Sequence, residues 1–187
     1  MLETTTLVNH FLIAMPSMGD PNFSRTVTYL CQHSNEGAMG IVINRPSNIH
    51  LGEMMKQMDI QIKNSTISEL PIFYGGPVQP ERGFVLHEMQ GQWNSTLQVA
   101  EGIALTTSRD ILEAIALGEG PNKLIVALGY AGWGEGQIER EIRENAWLNS
   151  PAQNSILFDT PVHQRWKLAA EQMGINIDLL STQAGHC

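Results

Sequence analysis

Positive charge is scarce in this chain. Eleven Lys and Arg stand against 19 Asp and Glu, giving a formal net charge of −8 and a pI of about 5.1. A nucleic-acid-binding surface needs the opposite sign, so direct binding to DNA or RNA is not expected. Attraction to anionic lipid is not expected either. Cysteine is also rare. Cys31 and Cys187 are the only two, too few for a disulfide framework. Both are expected to be reduced, which points to the cytoplasm. Long apolar runs are missing too. The first, Phe11 to Met15, is far too short for a signal core or a membrane span, and the ten leading residues contain Glu3 but no Lys or Arg. Repeats, low-complexity tracts and linkers are lacking, so residues 1–187 read as a single domain.

What is present suits a compact, turn-rich fold: 42% hydrophobic residues, 16% charged, 17 Gly and 9 Pro. HFLIAMP (10–16) reads as a first buried strand stopped by Pro16. TVTYLCQH (26–33) and AMGIVINRP (38–46) read as an antiparallel pair joined by a turn at 34–37. Leu51, Met54, Met55 and Met58 recur at helical spacing, predicting a short helix over 50–58, and the polar stretch 59–70 reads as a surface excursion. Further strands are expected at 71–78, 83–89 and 95–107, the last breaking at Gly102. Thr107 to Asp110 resembles a capping box for a helix inside 108–117 that stops at Gly118. SILFD (155–159) is expected to be a last strand. Thr160 and Pro161 would then open a final helix with Val162, Trp166, Ala169, Ala170 and Met173 inward, followed by a loose tail to Cys187.

The stretch 128–148, LGYAGWGEGQIEREIRENAWL, is the most unusual. A strand over 124–128 runs into Gly129, Gly132, Gly134 and Gly136, and an acidic amphipathic helix follows over 136–146. Four glycines predict a turn with positive φ or close approach, carrying Trp133 on a flexible loop. The order does not fit a phosphate-binding signature, and Glu135 and Glu139 would repel an anion at the helix start. Those acids complement the helix dipole instead.

Strands dominate the first half, and helices enter between strands in the second. The expected class is α+β, with a mostly antiparallel sheet or β-barrel flanked by helices. Several stretches together, FLIAMPSMGDPNF, GAMGIVINRP, GGPVQPERGFVLH, LTTSRDILEAI, the 128–148 segment, ILFD and the closing AGH, make the chain resemble the AlgH/YqgE family of bacterial proteins. The resemblance implies an α+β domain with a β-barrel and flanking helices. Members are often labelled transcriptional regulators, and the resemblance brings no reaction with it. Cys187 stands where the family pattern leads one to expect Ala.

Catalytic candidates all have plainer explanations. Cys31 and His33, two apart on a strand, would share a face and could pair as nucleophile and base or as half a zinc site. No third member accompanies them, and a buried Cys acting as a small hydrophobe fits better. His87 reads as a structural histidine. No G-x-S-x-G elbow occurs, Ser108 reads as a cap and Ser17 as turn chemistry. No metal or cofactor is expected. One candidate ligand site remains. Three strand ends, at Asn44-Arg45, Gly75-Gly76 and 129–136, could meet in a shallow pocket. Arg45 would supply charge, Asn44 and Gln137 hydrogen bonds, and Trp133 an apolar wall. The favoured function is a non-enzymatic cytosolic binding or regulatory protein that acts through a small ligand or protein partner and can form a homo-oligomer. The alternative is a hydrolase-like enzyme with a site built from separated loops.

Overall fold

The computed structural model describes residues 5–184. In chain order the elements are β1 (His10–Ala14), β2 (Val27–Ser34), β3 (Gly37–Val42), β4 (Pro46–His50), α1 (Leu51–Gln57), α2 (Ser65–Ser68), β5 (Pro71–Tyr74) and β6 (Val78–Glu88). Then follow β7 (Thr96–Ala100), β8 (Ile103–Thr106), α3 (Arg109–Ala116), β9 (Leu124–Trp133), α4 (Gln137–Arg143) and β10 (Trp147–Pro151). The chain closes with a π-helical turn at Ser155–Asp159, a 3-10 turn at Val162–Gln164, α5 (Arg165–Glu171) and α6 (Ile177–Ala184). The strands form one sheet in the order β10-β1-β2-β3-β9-β6-β8-β7, with β4 and β5 attached through β9. Every pairing is antiparallel except β5 with β9.

Two-residue alternation sorts side chains between the faces of this sheet. Phe11, Ile13, Tyr29, Ile41, Phe84, Leu86, Leu105, Ile125 and Ala127 belong to one buried cluster. Because one cluster gathers residues from strands right across the sheet, the sheet curls around it as a half-barrel. Its concave side is filled by Ile156, Leu157, Trp166, Ala169, Ala170 and Ile177 from the C-terminal turns and helices. The intervening residues Val85 and Val126 face outward under α1 and α3, against Leu51, Met55, Ile111 and Ile115. Leu12, Ala14, Leu30, Ala131, Trp133 and Trp147 face outward under α4 and its Ile138. The expected α+β class with helices flanking an antiparallel sheet is what forms, and the paired strands around residues 34–37 and the break at Gly102 are present.

Several local expectations are corrected. Residues 129–133 are strand, not loop, and the turn is confined to 134–136. The SILFD segment is helical, and Trp147–Pro151 takes the sheet edge beside β1 instead. A short apolar run gives no periodicity by which to tell strand from buried helix. Thr160 does not cap a helix; its hydroxyl donates to Ser155 O, and α5 begins at Arg165. Ser108 sits at the N-cap of α3, yet its hydroxyl bonds Asp110 rather than a helical N–H. Asp110 in turn accepts from Ile111 N and Asn94 N, tying the helix start to the approach to β7. Met173 is exposed rather than in the buried stripe. Part of the tail is ordered as α6, while Cys187 lies outside the described residues.

Candidate functional site

The described residues plug the half-barrel at one end only. At the other end an open groove of about 1230 Å³ runs between β2 and β7. Cys31, Met39, Phe84, Leu97, Leu105 and Tyr130 supply its apolar surface, and Gln32, Ser34, Glu36, Arg82 and Gln98 its polar and charged groups.

Two strand irregularities create this space. In β2, Leu30 pairs with Gly40 but Gln32 pairs with Met39, so Cys31 is an extra, bulged residue. Directly opposed residues share a face. Gln32 and Met39 therefore face the groove, while His33 and its partner Ala38 face outward toward α4. In β9, Ala127 and Tyr130 both pack in the concave cluster, whereas Ala131 and Trp133 join the outer one. The reversal falls at Gly129, which adopts φ 77°. A left-handed glycine is the standard residue for such a bulge, and a one-residue slip exchanges the faces of everything beyond it. Trp133 is thus turned outward, and Gly132, without a side chain, is left on the groove side.

The bulge at Cys31 overturns the expectation that Cys31 and His33 share a face. The thiol is buried in the core, its pKa pushed up by burial, and its hydrogen-bond partner is Tyr29 O. The imidazole goes elsewhere. His33 Nδ1 accepts the Leu7 N–H at 3.0 Å and Nε2 lies 2.6 Å from Glu139 Oε1. With Nδ1 accepting, the proton belongs on Nε2 and is donated to the carboxylate. For Glu139, burial would raise the pKa, but the His33 bond, its own backbone N–H and Arg143 outweigh burial and hold it below the usual carboxylate range. His33 thereby ties the N-terminal segment, β2 and α4 together, with no thiol in its bonding set among the described residues. His87 is structural in the way expected. It is buried, bonded by Nδ1 to Glu88 O and by Nε2 to the Thr106 hydroxyl, each at 2.7 Å.

The six residues proposed from the strand ends do not gather in one place. The ends of β3 and β5 and the middle of β9 do meet: Val42 N donates to Gly75 O, Tyr74 N to Arg45 O and Gly75 N to Leu128 O, all at 2.8 Å. The meeting is backbone on backbone. A Cβ on Gly75 would lie 2.3 Å from Gly129 O, and one on Gly129 would lie 2.3 Å from Gly76 O. Glycine is required there for chain crossing, which leaves no room for a ligand between these turns. Asn44 accepts from Val27 N and donates to Arg25 O, and the Arg45 guanidinium donates to Asn22 O and Ser24 O at 2.7 and 2.9 Å. Both side chains bind the 20–25 loop. Trp133 and Gln137 stand at the far end of β3, where Trp133 pairs with Ala38. The Trp133 ring, 6% exposed, packs with Phe23 and Trp147, and Glu141 Oε1 accepts both indole N–H groups. Gln137 accepts from Gly134 N. Of the six, Trp133 alone borders the groove. Cys31, His33 and Trp133 border the groove and stand out in the sequence for other reasons, but Gln32, Met39, Leu97 and Tyr130 do not, because they are ordinary strand residues. The one available signal was that TLQVA, the β7 segment, carries neither charge nor proline.

With the half-barrel and its groove in view, the chain falls into a defined structural class. It superposes on the solution structure of AlgH from Pseudomonas aeruginosa with a TM-score of 0.80, at 48% identity and full coverage of both chains. A protein from Corynebacterium diphtheriae shares the fold at a TM-score of 0.73 and 18% identity, covering 97% of this chain and 94% of that one. The chain is 57% identical to a UPF0301 protein of Methylococcus capsulatus over 98% of each, and 53% identical to one of Thioalkalivibrio sulfidiphilus over the whole of each. It matches the AlgH-like family over residues 11–178 and belongs to that family.

Proposed function

We propose that the protein acts by binding rather than by catalysis, as a cytoplasmic regulatory protein whose ligand or protein partner occupies the groove. The observation that carries this reading is the groove itself: about 1230 Å³ with an apolar floor and a polar rim, left uncovered by helices that fill the rest of the concave face. Two-dimensional NMR on protein with labelled Met and Leu methyls tests it, using metabolite mixtures and random linear peptides as probes. Shifts centred on Met39 and Leu97 are expected. Responses confined to surfaces away from the groove would overturn the assignment.

The hydrolase-like alternative has one observation in its favour, the 2.6 Å His33–Glu139 pair, which resembles a base held by its orienting carboxylate. Against it, the free end of such a base would be Nδ1, and that nitrogen is engaged by Leu7 N–H. Regulation through a protein partner also suits the net charge of −8 better than contact with DNA. A salt-sensitive, sequence-selective shift of duplex DNA by the isolated protein would overturn that part of the reading.

A further inference from the structure

The groove has one wall of unusual kind, the edge of the sheet. Among the described residues, strand β7 pairs with β8 alone. Thr107 N donates to Ser95 O at 3.0 Å, which marks the opposed pair 95/107 as hydrogen-bonded. Alternation then directs the backbone groups of Ser95 and Leu97 toward β8, and the N–H and C=O of Thr96 and Gln98 away from it. Those outward groups have no backbone partner among the described residues. Leu97 projects its side chain into the concave cluster opposite Leu105, so the free edge runs along the groove.

The two ends of the sheet are managed differently. Strand β10 finishes on Pro151, a residue that blunts an edge. Strand β7, Thr-Leu-Gln-Val-Ala, has no proline and no charge, and its only irregularity, at Val99, comes after the free stretch. The size of the groove points the same way. Small-molecule sites enclose about 300–1,000 Å³, and this one is larger and open. Arg82 stacks on Phe84 with Cζ 5.2 Å from the ring and pairs with no carboxylate among the described residues.

We infer that the groove takes an extended peptide segment of a partner protein, added as a further strand on the Thr96–Gln98 edge of β7. Alternate side chains of the segment fall on Met39, Tyr130 and Leu97, and an acidic residue of the segment meets Arg82. This rests on the groove being the binding site and specifies its occupant. Main-chain bonds to Thr96 and Gln98 give affinity, and the apolar floor and Arg82 give selectivity.

Selection of random linear peptides against the full-length protein, followed by titration of the enriched sequences, tests the inference. Single backbone N-methylations along a bound peptide should weaken it at every second position, by about tenfold for each lost main-chain bond. Gln98→Pro removes an outward N–H and should weaken binding similarly, whereas Gln98→Ala should not. Arg82→Gln should favour recovery of peptides without the acid. The N-methylation series keeps the test valid where Gln98→Pro perturbs the edge. Peptides that depend on Met39 and Leu97 yet tolerate N-methylation everywhere would overturn strand addition and leave the groove reading standing. Peptides indifferent to Met39→Asp and Leu97→Asp would overturn both. Failure to enrich any linear peptide, or enrichment only of copies that drive pairing of β7 with β7 of a second protein molecule, would also overturn the partner-segment inference.

Discussion

The two ends of the concave face belong to one sheet and meet opposite fates. At one end Ile156, Leu157, Trp166, Ala169 and Ala170 fill the curl and share one core with Phe11, Ile13 and Ile43. At the other, Met39, Tyr130 and Leu97 border open space. Strand composition does not separate the ends. What separates them is which segment returns to cover them, and the bulges at Cys31 and Gly129 that turn His33 and Trp133 outward. A face can thus be prepared for packing over its whole length and be left free where binding is proposed.

The largest effect expected from this contrast lies in the plug. Trp166 is buried, donates its indole N–H to Ala14 O at 2.9 Å and carries Arg25 across its ring. Trp166→Ala should cost about 3–5 kcal/mol in urea unfolding. A change as small as that of a groove-rim substitution would mean that the plug is not the structural end. Next comes the outer cluster. Glu141→Ala strips the shared acceptor from Trp133 and Trp147 and should cost about 1–3 kcal/mol, with a change in indole fluorescence. Unchanged stability and emission would show that water replaces the carboxylate freely.

A smaller, pH-dependent effect should come from the buried histidine of β6. Burial lowers the His87 pKa, with the Glu88 carbonyl opposing, so the unfolded chain takes up its proton before the folded one does. The stability conferred by neutral His87 is therefore complete above about pH 6.5 and lost as pH falls toward its folded value. Burial acts on His10 in the same direction, opposed by Asn149. Urea midpoints measured from about pH 8 down to about pH 5 should fall below about 6.5, and His87→Gln should flatten the slope. A midpoint independent of pH in the parent protein would contradict the sign. The smallest effect belongs to the groove edge, where Gln98 is exposed. Gln98→Ala should shift stability by no more than about 0.5 kcal/mol. A larger loss would show that the edge is already serving the fold.

Local chemistry alone was enough for the class, the paired strands around 34–37, the α1 stripe of Leu51 and Met55, and the hairpin break at Gly102. Each depends on periodicity or turn residues within a few positions, and the family motifs added a β-barrel with flanking helices, which the structure realises as a half-barrel. What lay beyond reach was set by contacts distant in sequence. Gly129 reads as a loop glycine until β5 is seen crossing it at Gly75, and Arg45 reads as a free clamp until Asn22 O and Ser24 O are found beneath it. The Cys31 and Gly129 bulges shift the alternation by one residue, which a period-two reading of either strand cannot register. The SILFD run could have joined the sheet, but β10 claimed the edge beside β1 and left that run to plug the curl. Away from the two bulges, the amino acids themselves settled which faces must be buried. Only the tertiary structure decided which end of the concave face stayed open, because that depends on what packs against it and no single strand carries that information.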